Sequence, residues 1–490
     1  MKILLVSPKT PPTFWSFRHV LQFISKKAAF PPLGLLTVAA MLPRDWSLKL
    51  IDLNVVPLTD RDLDWADYVM LSGMLVHADS ARQVIARCID RGKCLIAGGP
   101  LFTSGHERFP EVAHVVLGEA EDLMPELIND LRTGELKPIY RSDHFPDVSK
   151  APLPRWDLID LRHYATMPLQ FSRGCPFNCE FCDVIVMNGR TPRLKSSAQM
   201  IAELESLRAA GWRTGIFIVD DNFIGHKTRV KELLHALIDW RRRTGVDTTF
   251  TTEASINLAD DPELMHLMVQ AGFKRVFVGI ESPQAESLAE CAKVQNTHRD
   301  LVAAVHTIQR AGMEVMGGFI VGFDSDPPDI FERQWKFIQE SGVVTAMVGL
   351  LTALPRTRLY HRLAAEGRIL SQSTGNNLDG VLNFVPRLDR EKLLEGYRSL
   401  VKRLYSPREY YARIFAFLRQ YRSRGPRLRL QRGEYTAFIK SLWIMGVAHR
   451  GRREFWKFLT KTMLFHRGAL AEAIGLAIYG HHFYKVANGI

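Results

Sequence analysis

Three cysteines within RGCPFNCEFC, namely Cys175, Cys179 and Cys182, are the residues of this chain best suited to chemistry. Thiolates are the soft ligands that iron–sulfur clusters take. The spacing is C-x3-C-x2-C, and no fourth cysteine lies nearby. A four-iron cluster held by three thiolates keeps one iron open to a ligand, as the open position of a catalytic zinc does. Structural zinc is the competing use, but it wants a second Cys or His pair at similar spacing, and the sequence offers none. Cys88, Cys94 and Cys291 sit in apolar segments and read as core residues.

Other candidate groups fall at the ends of apolar runs. VDDNF places Asp220, Asp221 and Asn222 together. A carboxylate there suits a donor-only cation such as an amine, and Asp221 or Asn222 suits a helix N-cap equally well. Glu253 closes the next run, GIES (Gly279, Glu281, Ser282) the one after, and GGFIVGF, with Gly318, the fifth. In the first part of the chain Ser72–Gly73, Gly98–Gly99 and Gly118–Glu119 occupy similar places. Glycine at a strand end lets backbone approach a ligand closely. No residue declares itself as a general acid or base.

The elements that must position these groups follow a regular alternation. Residues 1–140 hold five short apolar strands, beginning at Lys2, Leu48, Tyr68, Cys94 and His114, with helical stretches such as Pro32 to Leu42 and Ser80 to Arg91 between them. That pattern predicts a doubly wound parallel sheet, whose ligands bind outside the carboxyl ends of the strands. Residues 141–165 read as a proline-spaced linker. Residues 166–376 carry six further β/α repeats, a partial (β/α)6 barrel with its site at the strand C-termini. From 377 to 490 the strand signal ceases, and four helical stretches followed by an apolar one, Gly468 to Val486, predict a basic helical domain.

The chain has 490 residues, 46% of them hydrophobic, and a net charge of +12. That is enough for two or three cores. The basic excess thickens from Arg398 to Arg432 and permits contact with nucleic acid, anionic lipid or a polyanionic cofactor. No run of about 20 uncharged apolar residues occurs, which argues against a spanning helix. The opening MKILLVSPKTPP stops too soon for a leader peptide. A cytoplasmic protein is the expectation.

At RGCPFNCEFC the sequence resembles the radical S-adenosylmethionine (SAM) superfamily, with Phe181 at its aromatic position before the last cysteine. The resemblance implies a [4Fe–4S] cluster on the three cysteines and SAM on its open iron, cleaved to a 5′-deoxyadenosyl radical. It further implies that Asp220, Asp221 and Asn222 face the SAM amine, and that Glu253 meets the ribose or a second ligand. Gly279, Glu281 and Ser282 would line the SAM pocket, and Gly318 would lie beside the adenine. The first 140 residues resemble a cobalamin-binding domain. PPLGLLTVAAML (with Pro32 and Gly34), AGGP (with Gly98 and Gly99), GEAED (with Gly118 and Glu119) and the Ser72–Gly73 turn stand where such domains contact cobalamin. The usual Asp-x-His-x-x-Gly motif is missing from SPKTPPTFWSF. The resemblance therefore implies cobalamin bound without a protein histidine on cobalt, with Phe14 or Trp15 shielding the metal.

TFWSF, PPLGLLTVAAMLP, QFSRGCPFNCEFCD and VDDNFIG together resemble the group containing hopanoid C-2 methylases and bacteriochlorophyllide side-chain methylases. What this implies is methylation of an unactivated carbon of a hydrophobic small molecule, with a flavodoxin- or ferredoxin-like reducing partner. The alternatives are another cobalamin-linked radical reaction such as cyclisation, an RNA-modifying enzyme, and a non-catalytic electron carrier. The apolar content of the basic tail favours peripheral membrane contact over nucleic acid. The helices from Arg398 to Arg432 would close the barrel mouth and rest on an anionic surface.

Overall fold

The computed structural model describes residues 1–376, 379–422 and 432–489. Its N-terminal part is built on β1 (Lys2–Ser7), β2 (Ser47–Asp52), β3 (Tyr68–Ser72), β4 (Cys94–Gly98), β5 (His114–Leu117) and β6 (Ile139–Arg141). These six form one parallel sheet in the order β2-β1-β3-β4-β5-β6. In β1, Ile3, Leu4, Leu5 and Val6 are all fully buried. That unbroken apolar run fits a strand covered on both faces by helices. Two of those helices are Leu33–Met41 and Ala78–Asp90. The last strand, three residues long, was not evident in the sequence and runs one residue into the expected linker.

A second parallel sheet contains β7 (Met167–Leu169), β10 (Ile216–Ile218), β11 (Phe250–Glu253), β12 (Phe273–Glu281), β13 (Glu314–Val321) and β14 (Ala346–Leu350), ordered β14-β13-β12-β11-β10-β7. These are the six expected strands, in sequential order. Between β7 and β10 a small antiparallel pair, β8 (Ser172–Arg173) and β9 (Arg193–Leu194), frames the cysteine loop. Along β12, Val276, Val278 and Ile280 are fully buried. Phe277 and Gly279 alternate with them and face the other side, the concave one, as period-two strands require.

After the barrel the chain is helical: Arg358–Ala365, Arg390–Leu404, Pro407–Gln420, Arg432–Trp443, Arg452–Phe465 and Leu470–Ala487, with a π turn over Ile444–Ala448. The basic helices do not present all their arginines outward. Arg413 is 1% exposed. Its guanidinium donates to the carbonyls of Leu404 and Val344 and lies beside the rings of Tyr405 and Tyr410. Arg403 pairs with Glu332. Arg413 and Arg403 are therefore not free to meet the anionic surface expected to take the helices from Arg398 to Arg432, while Arg424, Arg427 and Arg429 lie outside the described residues. The barrel and these helices approach closely at Gly342, which has φ +65° and whose added Cβ would stand 2.8 Å from the backbone nitrogen of Phe417. Tyr405 completes the joint, its hydroxyl donating to the Ala346 carbonyl on β14 (2.6 Å).

The N-terminal part reaches into the barrel through the segment around Trp15. The Trp15 indole donates to the Met347 sulfur (2.9 Å) and meets the Phe277 ring edge-on, so it rests on the concave face. Phe14 turns the other way, is 3% exposed and stacks on Phe483 of the last helix with ring centroids 4.2 Å apart.

Candidate active site around the cysteine loop

The loop from Gly174 to Cys182 is held from four sides. Gly174 has φ +99°, and a Cβ there would sit about 3 Å from the carbonyl oxygens of Thr191, Asn188 and Gly189, so only glycine fits. Its N–H donates to Asp221 (2.7 Å), whose carboxylate also accepts from the Asn188 amide. Asp220 accepts from the backbone N–H groups of Phe171 and Ser172 and from the Ser172 hydroxyl. Asn222 accepts from the Ser255 N–H and places its amide nitrogen 3.9 Å from the Cys175 sulfur. The helix N-cap expectation for VDDNF does not hold. The carboxylates of Asp220 and Asp221 are engaged by the loop, and the next long helix begins only at Lys227. Burial pushes the Asp220 carboxyl up to about 7 despite its three donors.

On the far side, Glu180 within the motif accepts a two-pronged pair from Arg362 (2.7 and 3.1 Å) on the first helix after the barrel. The backbone N–H of Leu359 donates to the Glu180 carbonyl, and the Glu180 N–H donates to Cys291. On the near side Arg173, just before the loop, pairs with Glu121 (2.6 Å) and with Glu119, and Arg193 also grips Glu119. These four side chains are largely buried. Glu119 was expected to meet cobalamin. It joins the first sheet to the β8–β9 pair that frames the cysteine loop.

The thiols are close enough to feel one another's charge. Burial pushes the Cys175 and Cys182 thiols up. Gln295 donates its amide toward the Cys179 sulfur (3.8 Å). The Lys293 ammonium is buried between the cysteines and Glu281, with which it pairs at 2.7 Å, and lies 5.9 Å from the Phe181 ring centroid. Burial pulls this ammonium down, but Glu281 and the thiols of Cys179 and Cys182 outweigh it and hold it above its usual range. Three thiols ringed by two amide donors and a cation make a donor set fit for an anionic iron–sulfur cluster, because N–H groups and positive charge directed at sulfur stabilise it. Among the described residues no three Cys, His, Asp or Glu side chains close on a single-ion site.

The remaining SAM candidates divide. The Glu253 carbonyl accepts from the Phe223 N–H, but its carboxylate accepts no hydrogen bond among the described residues; burial, then Asp221 and Asp220, push that carboxyl up to about 8. Glu281 has φ +64° and is committed to Lys293. Gly279 makes that possible, since a Cβ there would lie 2.4 Å from the Glu281 carboxylate and 2.8 Å from the Lys293 ammonium. Ser282 is fully buried and accepts from the Gln284 N–H. Gly318 leaves room for the Phe277 ring, 2.8 Å from its added Cβ. Lys293, Gln295, Arg173, Glu121 and Arg362 were not singled out from sequence. Each acts on a partner remote in the chain or hidden inside a motif quoted for other reasons.

At the first sheet, Ser72 ends β3, Gly73 follows it, Gly98 ends β4 and Gly99 starts the next turn. Gly34 and Gly118 face open space, with nothing within 4 Å of an added Cβ. Pro32 stands at the head of the Leu33–Met41 helix. The open backbone at Gly34 and Gly118 fits a large cofactor, while Gly73, Gly98 and Gly99 let the strand ends pack closely on His77, Val116 and Ser72. His77 packs against Gly73. Its Nδ1 accepts from the Met74 N–H and its Nε2 meets the Thr10 hydroxyl, while burial pulls its pKa down to about 4. It is a neutral, engaged imidazole. Phe14, packed against the last helix, cannot shield a bound metal; Trp15 points into the barrel.

Residues 24–128 match the B12 binding domain family, residues 169–338 the radical SAM superfamily, and residues 357–490 a domain of unknown function, DUF4070. An uncharacterized methyltransferase of Synechocystis is 39% identical over 99% of this chain and 92% of its own length. The hopanoid C-2 methylase of Rhodopseudomonas palustris is 31% identical over 99% of this chain and 94% of its own. Among solved structures, the cobalamin-dependent SAM radical enzyme OxsB, with aqua-cobalamin and SAM bound, has the same fold with TM-score 0.65 at 15% identity, over 100% of this chain and 79% of that one. The radical SAM methyltransferase TsrM of Kitasatospora setae gives TM-score 0.57 at 16% identity, over 80% and 84%.

Proposed function

The chain belongs to the cobalamin-dependent radical SAM methyltransferases, and from that premise we propose that it methylates an unactivated carbon of a polycyclic, hydrophobic molecule, a hopanoid-like lipid or a tetrapyrrole. One observation carries the substrate class: part of the concave face is an apolar stretch, where strand register sets Phe217, Phe277, Met316, Ile320 and Met347 on one side and Trp15 rests on Phe277 and Met347, with Thr251, Glu253 and the Arg275–Glu314 pair sharing that side. A flat hydrocarbon surface buries well against the apolar stretch.

Cys175, Cys179 and Cys182 would hold the cluster. Lys293, Gln295 and Asn222 would steady its sulfurs, and Phe181 would cover it. Glu253 would receive a hydroxyl or amine of SAM, while Gly279 and Gly318 would act one step removed, by admitting the Glu281–Lys293 pair and the Phe277 ring beside it. The glycine-bearing ends of β3, β4 and β5, with Pro32 and Gly34 at the head of the Leu33–Met41 helix, would seat cobalamin. When bound, the cluster with SAM supplies one-electron chemistry and cobalamin a transferable methyl group. The task of this chain is to hold the reacting centres face to face and to exclude water. The Glu119–Arg173 and Glu121–Arg173 pairs serve the first requirement. We take residues 1–140, 166–376 and 377–490 as the three modules, with 141–165 between them, a flavodoxin- or ferredoxin-like protein as reductant, and a peripheral membrane contact.

The test is anaerobic turnover of the reconstituted protein with SAM, cobalamin, reductant and extracted hopanoids or tetrapyrroles, read by mass spectrometry. The expected product is heavier by one methylene group and accompanied by 5′-deoxyadenosine and S-adenosylhomocysteine. 5′-Deoxyadenosine with a substrate changed by ring closure alone would replace methylation by cyclisation.

A further inference from the structure

Nearly half of the large hydrophobic side chains exposed among the described residues fall between Tyr435 and Phe465. Tyr435, Ile439, Trp443 and Val447 recur every four residues along one side of the Arg432–Trp443 helix and its π turn, Trp443 being 67% exposed. The opposite side is buried at Ala437 and Met445. The returning Arg452–Phe465 helix adds Trp456 and, at its end, Phe465, 75% exposed. Trp456 locks the hairpin by donating to the Gly446 carbonyl (2.9 Å). On the same returning helix Arg452, Arg453, Lys457 and Lys461 are exposed, with Arg467 just beyond, against a single acid, Glu454.

We infer that this helical hairpin is a docking surface for an anionic lipid bilayer, with its apolar stripe lying in the headgroup plane. The inference rests on, and deepens, the proposed hydrophobic substrate. Exposed Trp and Tyr beside Lys and Arg suit the boundary between headgroups and acyl chains. The charge selects the occupant: a second copy of the chain would bring the same basic surface against itself, whereas anionic lipid neutralises it. No helix of the described residues is long and apolar enough to cross a membrane, so the contact is superficial. The hairpin is also tied to the substrate path. Lys440 donates to the Gln22 carbonyl and the Ser25 hydroxyl, a few residues beyond Trp15, which rests on the concave face of the barrel. A lipid leaving the bilayer at the hairpin meets the seam between the N-terminal part and the barrel.

Flotation of the full chain with phosphatidylcholine vesicles, with and without phosphatidylglycerol, at low and high potassium chloride, tests this. The wild type should float with the anionic vesicles at low salt and about tenfold less at high salt, since exposed charges are screened. Ile439→Ser with Trp443→Ser and Phe465→Ser, and separately Arg452→Glu with Arg453→Glu and Lys461→Glu, should each lower flotation about tenfold while leaving thermal unfolding unchanged. Vesicle-independent recovery in the soluble fraction, or variants that float like the wild type, would overturn the assignment. So would a dimer in sedimentation that the serine variant dissociates, since the hairpin would then be an interface between copies. Methylation of detergent-dispersed substrate by the serine variant separates the two proposals: it persists if only docking fails, and it is absent even in the wild type if the methylase reading fails.

Discussion

A buried thiol keeps its proton until a metal displaces it. Burial pushes Cys175 and Cys182 up, so loading the cluster must release protons and improves as pH rises. Replacing any of Cys175, Cys179 or Cys182 by Ala should reduce iron content and SAM cleavage to background, while Cys88→Ala should leave both intact; iron analysis and 5′-deoxyadenosine assays check this. Glu253 gives a second expectation. Its folded-state pKa, pushed up to about 8, exceeds the ordinary 4.5. Between those values the folded state binds a proton that the unfolded state releases. The site's contribution to stability is therefore greatest below about pH 4.5 and falls as pH rises toward 8. Glu253→Gln should raise the Tm of the cofactor-free protein by ~3 °C at pH 8 and by less at pH 6; equal shifts in calorimetry would contradict the buried charge. At this scale the cysteines were legible because their spacing is local. The engagement of Asp220 and Asp221 with the loop was hidden because their partners are backbone N–H groups about 50 residues earlier. Lys293 and Gln295 sit in a run with no periodicity or motif, and only folding brings them to the thiols.

At the scale of elements, two ion pairs bracket the cysteine loop, and they should differ in strength. Arg173 is largely buried with Glu119 and Glu121, so Arg173→Ala leaves the buried Glu121 carboxylate unpaired, Glu119 keeping Arg193, and should cost ~3 kcal/mol. Arg362 is 30% exposed against Glu180, and solvent screening should hold Arg362→Ala to ~1 kcal/mol. Denaturant unfolding of the two variants measures the difference; equal costs would refute the burial argument. The strands themselves were readable, since alternating apolar runs bounded by glycine need no knowledge of tertiary contacts. The exceptions are instructive. The strand Ile139–Arg141 is too short to show a period, and the Arg358–Ala365 helix follows the last barrel strand with no signal marking it as a clamp on the motif. Arg413 looked like surface charge because composition does not reveal which arginines are sealed under tyrosine rings.

At the scale of the whole molecule, the engaged state of His77 bears on how cobalt is held. With Nδ1 accepting from Met74 and Nε2 at Thr10, the ring has no free lone pair for the metal. The cob(II)alamin form should give an electron paramagnetic resonance spectrum without nitrogen hyperfine splitting from a protein ligand. His77→Ala should bind cobalamin with the same spectrum. Splitting in the wild type that His77→Ala abolishes would reverse this assignment. The order of modules was legible in the sequence, but their joints were not, because each joint is a handful of side chains drawn from separate modules.

Those joints limit how the chain can be recombined. The loop carrying the three cysteines is fastened to the first sheet through Arg173 and to the trailing helices through Glu180. A barrel grafted from a relative would arrive with its central loop missing both anchors unless Glu119, Glu121 and Arg362 travelled with it. Exchange of substrate range between such enzymes by shuffling whole modules is thus constrained to variants that keep all these partners in step, and divergence is left to those positions of the concave lining and the outer helices that take no part in a joint.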